Sequence, residues 1–107
     1  MRHFIDEDII FKSILQYGRV NQSTVCMEEC AELIQAISKA KRGKLDADNL
    51  TEEMADVLIC IEMLKQLYDI VDSDINAWIE TKQRRTLERI QDENTKRDSD
   101  QSQNMEL

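Results

Sequence analysis

Two pairs of acidic residues are the part of this sequence best suited to chemistry. Glu29 and Glu32 lie three residues apart, and so do Glu53 and Asp56. Because an α-helix turns by about 100° per residue, acids at this spacing share one face of a helix. Carboxylates aimed into an apolar core repel one another and lose their hydration, which destabilises the protein unless a cation pairs with them. Hard oxygen ligands suit Mg²⁺, with Mn²⁺ as a substitute, so the pattern predicts a divalent metal site.

Apolar residues surround both acidic pairs on the helices predicted there. Those near Glu29 are Val25, Leu33, Ala36 and Ala40, and those near Glu53 and Asp56 are Cys60, Met63, Leu64 and Leu67. A single acidic pair at this spacing is a weak signal in an acidic chain, but two matching pairs inside apolar arcs are much less expected by chance. The alternative is that the buried acids form salt bridges with Arg or Lys of a neighbouring subunit. It is less favoured, because such ion pairs contribute little stability.

The composition indicates one helical domain without a membrane segment. The chain has 107 residues, no proline and two glycines, which favours long helices joined by short turns. Its 22 acidic and 14 basic residues give a net charge of −8, which argues against a protein that coats nucleic acid. No apolar run reaches the roughly 20 residues of a membrane span, and the acidic N-terminus is unlike a signal peptide. We therefore predict a cytoplasmic protein with no nucleic-acid or membrane partner.

Helical periodicity and capping residues predict four helices, at about residues 4–17, 24–41, 50–69 and 73–90. The third is apolar around almost its whole circumference, which is typical of a helix inside a bundle, and one chain can hardly enclose it. The predicted fold is therefore an all-α antiparallel bundle of four helices per chain, completed by oligomerisation into a dimer or tetramer. Residues 1–91 would form this single domain, followed by a polar, disordered tail at residues 92–107.

The cysteines favour packing over metal binding. Cys26, Cys30 and Cys60 lie on the apolar sides of the second and third predicted helices. The only histidine, His3, is remote from them in the sequence, so a zinc site would lack its fourth ligand. Buried free thiols that pack as small apolar side chains are the favoured interpretation. The lack of any later histidine also argues against a ferritin-like di-iron bundle, which needs Glu-x-x-His pairs.

The acidic segments resemble a known motif. Glu28-Glu29-Cys-Ala-Glu32, followed after twenty residues by Glu53-Met-Ala-Asp56, is similar to the EExxE…ExxD signature of the MazG-type all-α nucleoside triphosphate pyrophosphohydrolases. The resemblance covers roughly residues 24–90. It implies that Glu29, Glu32, Glu53 and Asp56 bind Mg²⁺, with Glu28 as a supporting carboxylate or general base. It also implies hydrolysis of a nucleoside triphosphate to the monophosphate and pyrophosphate, in the control or cleaning of a nucleotide pool.

Two basic segments could bind the phosphates of such a substrate. Lys41 and Arg42 belong to a basic run after the first motif, and Lys82, Arg85 and Arg89 share a face of the fourth predicted helix. The alternative is that both segments form solvated faces or surface salt bridges. Trp78 and Tyr17 are candidates for stacking on a base. A lone Trp at helical spacing from Ile75 and Ile79 is more typical of a core, so we assign no base specificity.

Three functional hypotheses therefore stay open from the sequence. The leading one is a Mg²⁺-dependent pyrophosphohydrolase. The others are a catalytically inactive helical bundle that binds metal or nucleotide, and an interaction bundle whose acids form salt bridges between subunits. Release of pyrophosphate separates the first from the second, and stabilisation by Mg²⁺ separates the second from the third. The sequence does not indicate which triphosphate would be the substrate.

Overall fold

Four α-helices contain nearly all of the residues that the computed structural model describes, which are residues 4–106. The helices are α1 (Glu7–Tyr17), α2 (Arg19–Lys41), α3 (Ala47–Tyr68) and α4 (Asp72–Glu106). Residues 4–106 contain no β-strand, which confirms the all-α class. The completion of the bundle by oligomerisation stays a prediction.

The helices begin and end at residues with specific backbone roles. The Asp6 carboxylate accepts hydrogen bonds from the backbone amides of Asp8 and Ile9, at 2.9 and 3.3 Å, and so caps α1. Gly18, at φ +89°, ends α1 by donating its N–H to the Ile14 carbonyl at 2.8 Å, and α2 begins at the next residue. A glycine adopts this conformation without steric cost, so one residue suffices to separate the two helices.

Both central helices begin earlier than the sequence predicted. α2 begins at Arg19, ahead of the predicted start near residue 24, and Asn21 and Thr24 bond to carbonyls of the preceding turn. Asn21 Nδ2 donates to the Tyr17 carbonyl at 2.9 Å, and Thr24 Oγ1 donates to the Val20 carbonyl at 3.1 Å. α3 begins at Ala47, because the Asp46 carboxylate accepts a bond from the Asn49 amide at 3.0 Å.

We expect the Asp46→Ala variant to lose about 1 kcal/mol of unfolding free energy, because it removes this cap from α3. The matched control is Asp48→Ala, which removes an exposed acid from the same first turn but no cap, and should lose less. Urea unfolding followed by circular dichroism measures both. Equal midpoints for the two variants would contradict the capping role.

The described residues up to Ile70 form one unit, and those from Val71 form a second. In the first unit, α2 and α3 make the most extensive helix contact, and α1 packs against both. Its main core cluster consists of Ile10, Ile14, Cys26, Cys60, Met63 and Leu67. Burial of these side chains removes apolar surface from water, which is the main favourable contribution to the stability of a small domain.

Two further contacts tie the ends of these helices together. Gln66 Nε2 donates to the Glu7 carbonyl at 3.0 Å, which links α3 to the start of α1. The Arg19 guanidinium donates to the Leu67 carbonyl, and so satisfies an acceptor in the last turn of α3. The Arg19 bond holds the N-terminus of α2 beside the C-terminus of α3.

Much of the apolar surface of α3 is uncovered in the single chain. Cys60, Met63 and Leu67 are buried, whereas Met54 and Ile61 are 51% and 45% exposed. The nearly continuous apolar circumference that the sequence indicated therefore divides into a buried face and an exposed one.

The cysteines differ from one another in burial. All three are free, and Cys26 and Cys60 are buried, as predicted, but Cys30 is exposed. This corrects the prediction for Cys30, because α1 and α3 cover only one face of α2. Burial raises the pKa of the Cys60 thiol to about 12 and also raises that of Cys26, which keeps both thiols protonated and unreactive near neutral pH.

α4 forms the second unit and is longer than predicted. The sequence places its end near Ile90, whereas the helix continues to Glu106. Every side chain described between residues 91 and 102 is exposed, so this stretch buries no apolar surface. The division into a domain at residues 1–91 and a tail at residues 92–107 stays a prediction. None of the helices in residues 4–106 combines the length and apolar composition that crossing a membrane requires.

Candidate metal centre

The structure brings the four predicted ligands together between α2 and α3. One carboxylate oxygen from each of Glu29, Glu32, Glu53 and Asp56 lies within 4.8 Å of the others. This distance is short enough for the four oxygens to surround a single cation or to be shared by adjacent ones. It is also short enough for strong mutual repulsion when the acids are ionised.

The antiparallel packing of α2 and α3 explains why the four acids lie close together. Residues 42–46 connect the two helices, and so short a connection places consecutive helices side by side and antiparallel. Residues later in α2 contact residues earlier in α3. Arg19 bonds to the Leu67 carbonyl, and Cys26 Sγ lies 3.7 Å from the Cys60 carbonyl oxygen. The same register brings the pair Glu29 and Glu32 opposite the pair Glu53 and Asp56.

The four acids differ in their exposure to solvent. Glu53 is buried at 8% exposure, Glu29 and Asp56 are half-buried, and Glu32 is exposed. The cluster therefore opens towards solvent on the side of Glu32, while Glu53 forms its interior end. A charged substrate could approach a cation from the open side without unfolding the helix pair.

Two carboxylate oxygens in the cluster are left without partners. Glu29 Oε2 and Glu53 Oε2 are both buried and accept no hydrogen bond within the described part of the chain. A buried, unsatisfied carboxylate oxygen carries a desolvation penalty, and clustering of like charges increases it. Oxygen donors of this kind are the ligands that Mg²⁺ and Mn²⁺ take, so the residues present fit a divalent cation.

The protonation of the acids reflects the same environment. Burial, the contact with Asp56 and repulsion from the neighbouring acids raise the pKa of Glu29 to about 7. Burial and repulsion by Glu32 and Asp56 also raise the pKa of Glu53. A proton thus relieves part of the repulsion when no cation is bound, and a cation has to compete with it.

We expect the ion-free protein to become more stable as the pH falls from about 8 to about 6. The pKa of Glu29 is about 7 in the folded chain against an ordinary value of 4.5, so in this range the folded state binds a proton that the unfolded state does not. This stabilising contribution is complete below about pH 4.5 and is lost as the pH rises through 7.

Thermal unfolding in EDTA at these two pH values measures the effect. Glu29→Gln, which cannot titrate at this position, is the control and should reduce the difference between the two pH values. An unfolding temperature that drops on acidification in the wild type, but not in this variant, would contradict the assignment.

One side chain at the cluster was missed by the sequence analysis. Asn49 Nδ2 lies 3.4 Å from Glu53 Oε1, within hydrogen-bonding distance. Asn49 precedes Glu53 by one helical turn, and this spacing was the available signal. Asp46, one residue before α3, is the N-cap of this helix, so the Asn49 side chain is available to Glu53.

The other predicted residues of α2 lie outside the cluster. Glu28 is exposed and is not among the acids that converge. Lys41 is the last residue of α2, nine residues after Glu32, which corresponds to roughly 13 Å along a helix axis. Arg42 follows it, and its Nε donates to the Ser38 carbonyl at 3.2 Å. Both basic residues are exposed, so they remain accessible to a ligand.

The basic residues predicted on the fourth helix lie on α4, in the second unit. Lys82, Arg85 and Arg89 are all exposed, and Lys82 Nζ lies 5.9 Å from the centre of the Trp78 ring. This is within the range of a cation–π interaction. Arg85 lines a shallow pocket on the same helix together with Trp78. Trp78 is 58% exposed and Tyr17 62% exposed, so neither is a core residue of the single chain.

The chain matches a known protein family over most of its length. Residues 21–92 match the family described as the MazG nucleotide pyrophosphohydrolase domain. The matched region is 72 of the 107 residues and contains all four acids of the cluster. It also contains α3 in full and begins within the first turn of α2, whereas α1 precedes it. No curated protein and no solved structure matched the chain in the same comparisons.

Proposed function

The chain belongs to the MazG nucleotide pyrophosphohydrolase domain family, and from this premise we propose that it hydrolyses nucleoside triphosphates to the monophosphate and pyrophosphate. Membership of the family confirms the resemblance found in the sequence and indicates a hydrolase that acts on nucleotides. Mg²⁺ is the proposed cofactor, with Mn²⁺ as a substitute, and the role of the enzyme would be the control or cleaning of a nucleotide pool.

The observation that carries this proposal is the convergence of four acids around unpartnered oxygens. Glu29 and Glu53 each keep a buried Oε2 without a hydrogen bond, and all four acids have oxygens within 4.8 Å of one another. Such an arrangement destabilises a protein with no cation and becomes favourable with one. A purely structural cluster would be expected to pair its acids with Arg or Lys, and no salt bridge to these four acids occurs within residues 4–102.

The proposed reaction is the attack of water on the α-phosphorus. A bond forms between the water oxygen and the α-phosphorus, the bond from that phosphorus to the bridging oxygen breaks, and pyrophosphate leaves with the bonding electron pair. Bound Mg²⁺ would neutralise charge on the phosphate oxygens and lower the pKa of the attacking water. The four clustered acids hold the ion, and the solvent-open side near Glu32 admits the triphosphate.

Glu28 is the proposed general base that accepts the proton of the attacking water. It adjoins the cluster in sequence, is exposed, and is not among the four acids that converge. Glu28→Gln should lower kcat by on the order of 10²-fold and leave the Kd for Mg²⁺ unchanged. A parallel loss of Mg²⁺ affinity would instead make Glu28 a metal ligand.

The basic residues are the proposed phosphate-binding groups. Lys41 and Arg42 on one segment, and Lys82, Arg85 and Arg89 on α4, would contact the β- and γ-phosphates and stabilise the leaving pyrophosphate. Their exposure supports this role, because none is committed to a buried ion pair.

Self-association into a dimer or tetramer is part of the proposal. The exposed apolar side chains on α3, including Met54, Ile59 and Ile61, support it, because they would be removed from water in an oligomer. Sedimentation equilibrium of the full chain measures the subunit number directly. A monomer at all concentrations would contradict this part of the proposal.

The decisive experiment is an assay of product formation on a panel of ribo- and deoxyribonucleoside triphosphates. We expect equal amounts of monophosphate and pyrophosphate with Mg²⁺ and neither product in EDTA. Orthophosphate and a nucleoside diphosphate would instead mean that the other anhydride bond is cleaved. Stabilisation by Mg²⁺ with no product from any nucleotide would indicate a binding protein without turnover.

A further inference from the structure

Glu53 stands apart from the other three acids in its surroundings. It is the most buried of the four, and its two carboxylate oxygens are in different environments. Oε1 accepts a hydrogen bond from Asn49 Nδ2 at 3.4 Å, whereas Oε2 is buried and accepts none in the described part of the chain. The Glu53 carboxylate is thus hydrogen-bonded at Oε1, while Oε2 could still bind a ligand.

Asn49 is itself held in place. It lies in the first turn of α3, it is half-buried, and its backbone N–H donates to the Asp46 carboxylate at 3.0 Å. Its side chain reaches one turn forward along the helix to Glu53. Asn49 lies within α3, so the helix itself fixes its backbone, and the Asn49 side chain in turn restrains the carboxylate of Glu53.

We propose that Asn49 is a positioning residue of the metal site, which binds Glu53 Oε1 and so directs Glu53 Oε2 to the cation. This inference rests on the proposed function, because it assumes that the four acids hold a divalent ion. Asn49 is not one of the ligands, and it acts through Glu53.

The chemistry of an amide suits this role. A neutral N–H donor stabilises the orientation of a carboxylate without cancelling the negative charge that attracts the cation, as Lys or Arg would. The Glu side chain has three rotatable bonds, and holding it before the ion arrives reduces the ordering that binding would otherwise require. Asn49 Nδ2 is a neutral donor of this kind to Glu53 Oε1.

The test is the Mg²⁺ affinity of Asn49→Leu, measured by isothermal titration calorimetry and, with Mn²⁺, by electron paramagnetic resonance. Leu has nearly the shape of Asn and a higher helix propensity, so the variant should fold while losing the donor. We expect the Kd for Mg²⁺ to rise by about tenfold, as is typical when a hydrogen bond to a metal ligand is removed. Asn49→Ala is the second variant and should behave in the same way.

Two matched controls separate positioning from general stability. Thr51→Ala removes a 2.7 Å hydrogen bond to the Ala47 carbonyl in the same turn, with no contact to Glu53. Asp46→Ala removes the cap of α3 but keeps the amide of Asn49. Both should bind Mg²⁺ as the wild type does, even if their unfolding temperatures fall.

Activity provides a further readout. At limiting Mg²⁺ the Asn49→Leu enzyme should be slower than the wild type, and saturating Mg²⁺ should restore kcat to within a few-fold. A loss of kcat that saturating Mg²⁺ does not restore would overturn the positioning role, as would an equal loss of Mg²⁺ affinity in Asp46→Ala.

The outcomes distinguish this inference from the proposed function. A wild type that binds Mg²⁺ and releases pyrophosphate, together with an Asn49→Leu variant of unchanged Mg²⁺ affinity, would overturn only the role of Asn49. A wild type that neither binds Mg²⁺ nor releases pyrophosphate would overturn the proposed function and this inference with it.

Discussion

Glu53→Gln is expected to lower the rate of pyrophosphate release by on the order of 10³-fold. The substitution keeps the shape of the side chain and removes one unit of negative charge from the buried interior of the cluster. Loss of a ligand weakens binding of the ion that would neutralise charge on the phosphates. A loss of several kcal/mol in transition-state stabilisation corresponds to a rate decrease of this size. A coupled assay for pyrophosphate, run across a range of Mg²⁺ concentrations, measures the loss.

The chain offers a closely matched control for this experiment. Glu52 precedes Glu53, is exposed and does not belong to the converging acids. Glu52→Gln makes the same change of charge one residue away and should keep most of the activity. If the two variants released pyrophosphate at similar rates, the cluster would not be the catalytic metal site.

Glu29→Gln is expected to stabilise the ion-free protein while abolishing its stabilisation by Mg²⁺. In EDTA, the variant no longer places a fourth negative charge among Glu32, Glu53 and Asp56, and it avoids the repulsion that raises the pKa of Glu29. We therefore expect its unfolding temperature to exceed that of the wild type by several degrees near pH 8. With Mg²⁺ the order should reverse, because the wild type gains the free energy of binding and the variant gains little.

Thermal unfolding of both proteins in EDTA and in millimolar Mg²⁺ gives the four values needed. Glu28→Gln serves as the control, since it removes an exposed acid from the adjacent position of α2 and should change neither value by much. A Glu29→Gln variant that is less stable than the wild type in EDTA would mean that the Glu29 carboxylate contributes favourable contacts of its own. The cluster would then be a structural one.

Both expected results depend on the repulsion and burial of the clustered acids. The acids that would hold the ion are costly to the folded chain without it, since two buried oxygens have no partner and two carboxyl groups have raised pKa values. Natural sequences tolerate such local destabilisation mainly where a ligand compensates for it. The candidate site is thus identified by its buried carboxylate oxygens without hydrogen-bond partners as well as by its acidic residues.

The features that depend on local geometry could be predicted from the amino-acid sequence. A spacing of three residues places Glu29 with Glu32, and Glu53 with Asp56, on one face of a helix, because the turn of a helix per residue is fixed. The short polar connection after α2 placed the two helices as neighbours. These two rules, together with the family signature, were sufficient to select the four acids that converge.

The caps and ends of the helices were less predictable. Several polar residues near a helix terminus can serve as a cap, and their competition is decided by backbone conformation. Gly18 at φ +89° allows α2 to begin at Arg19, so Asn21 lies within the helix instead of capping it. The extension of α4 to Glu106 was missed because its residues carry no apolar periodicity, on which the prediction depended.

Burial of side chains and contacts between individual atoms depend on how the helices pack, and the sequence pattern did not predict them. Helical periodicity predicts that both Cys26 and Cys30 are buried. In the structure, α1 and α3 cover Cys26 and leave Cys30 exposed. The register between α2 and α3 likewise determines that Oε2 of Glu29 and Glu53 lack partners and that Asn49 reaches Glu53. Helical periodicity assigns a residue to a face, whereas burial and hydrogen bonding depend on what the rest of the fold places against that face.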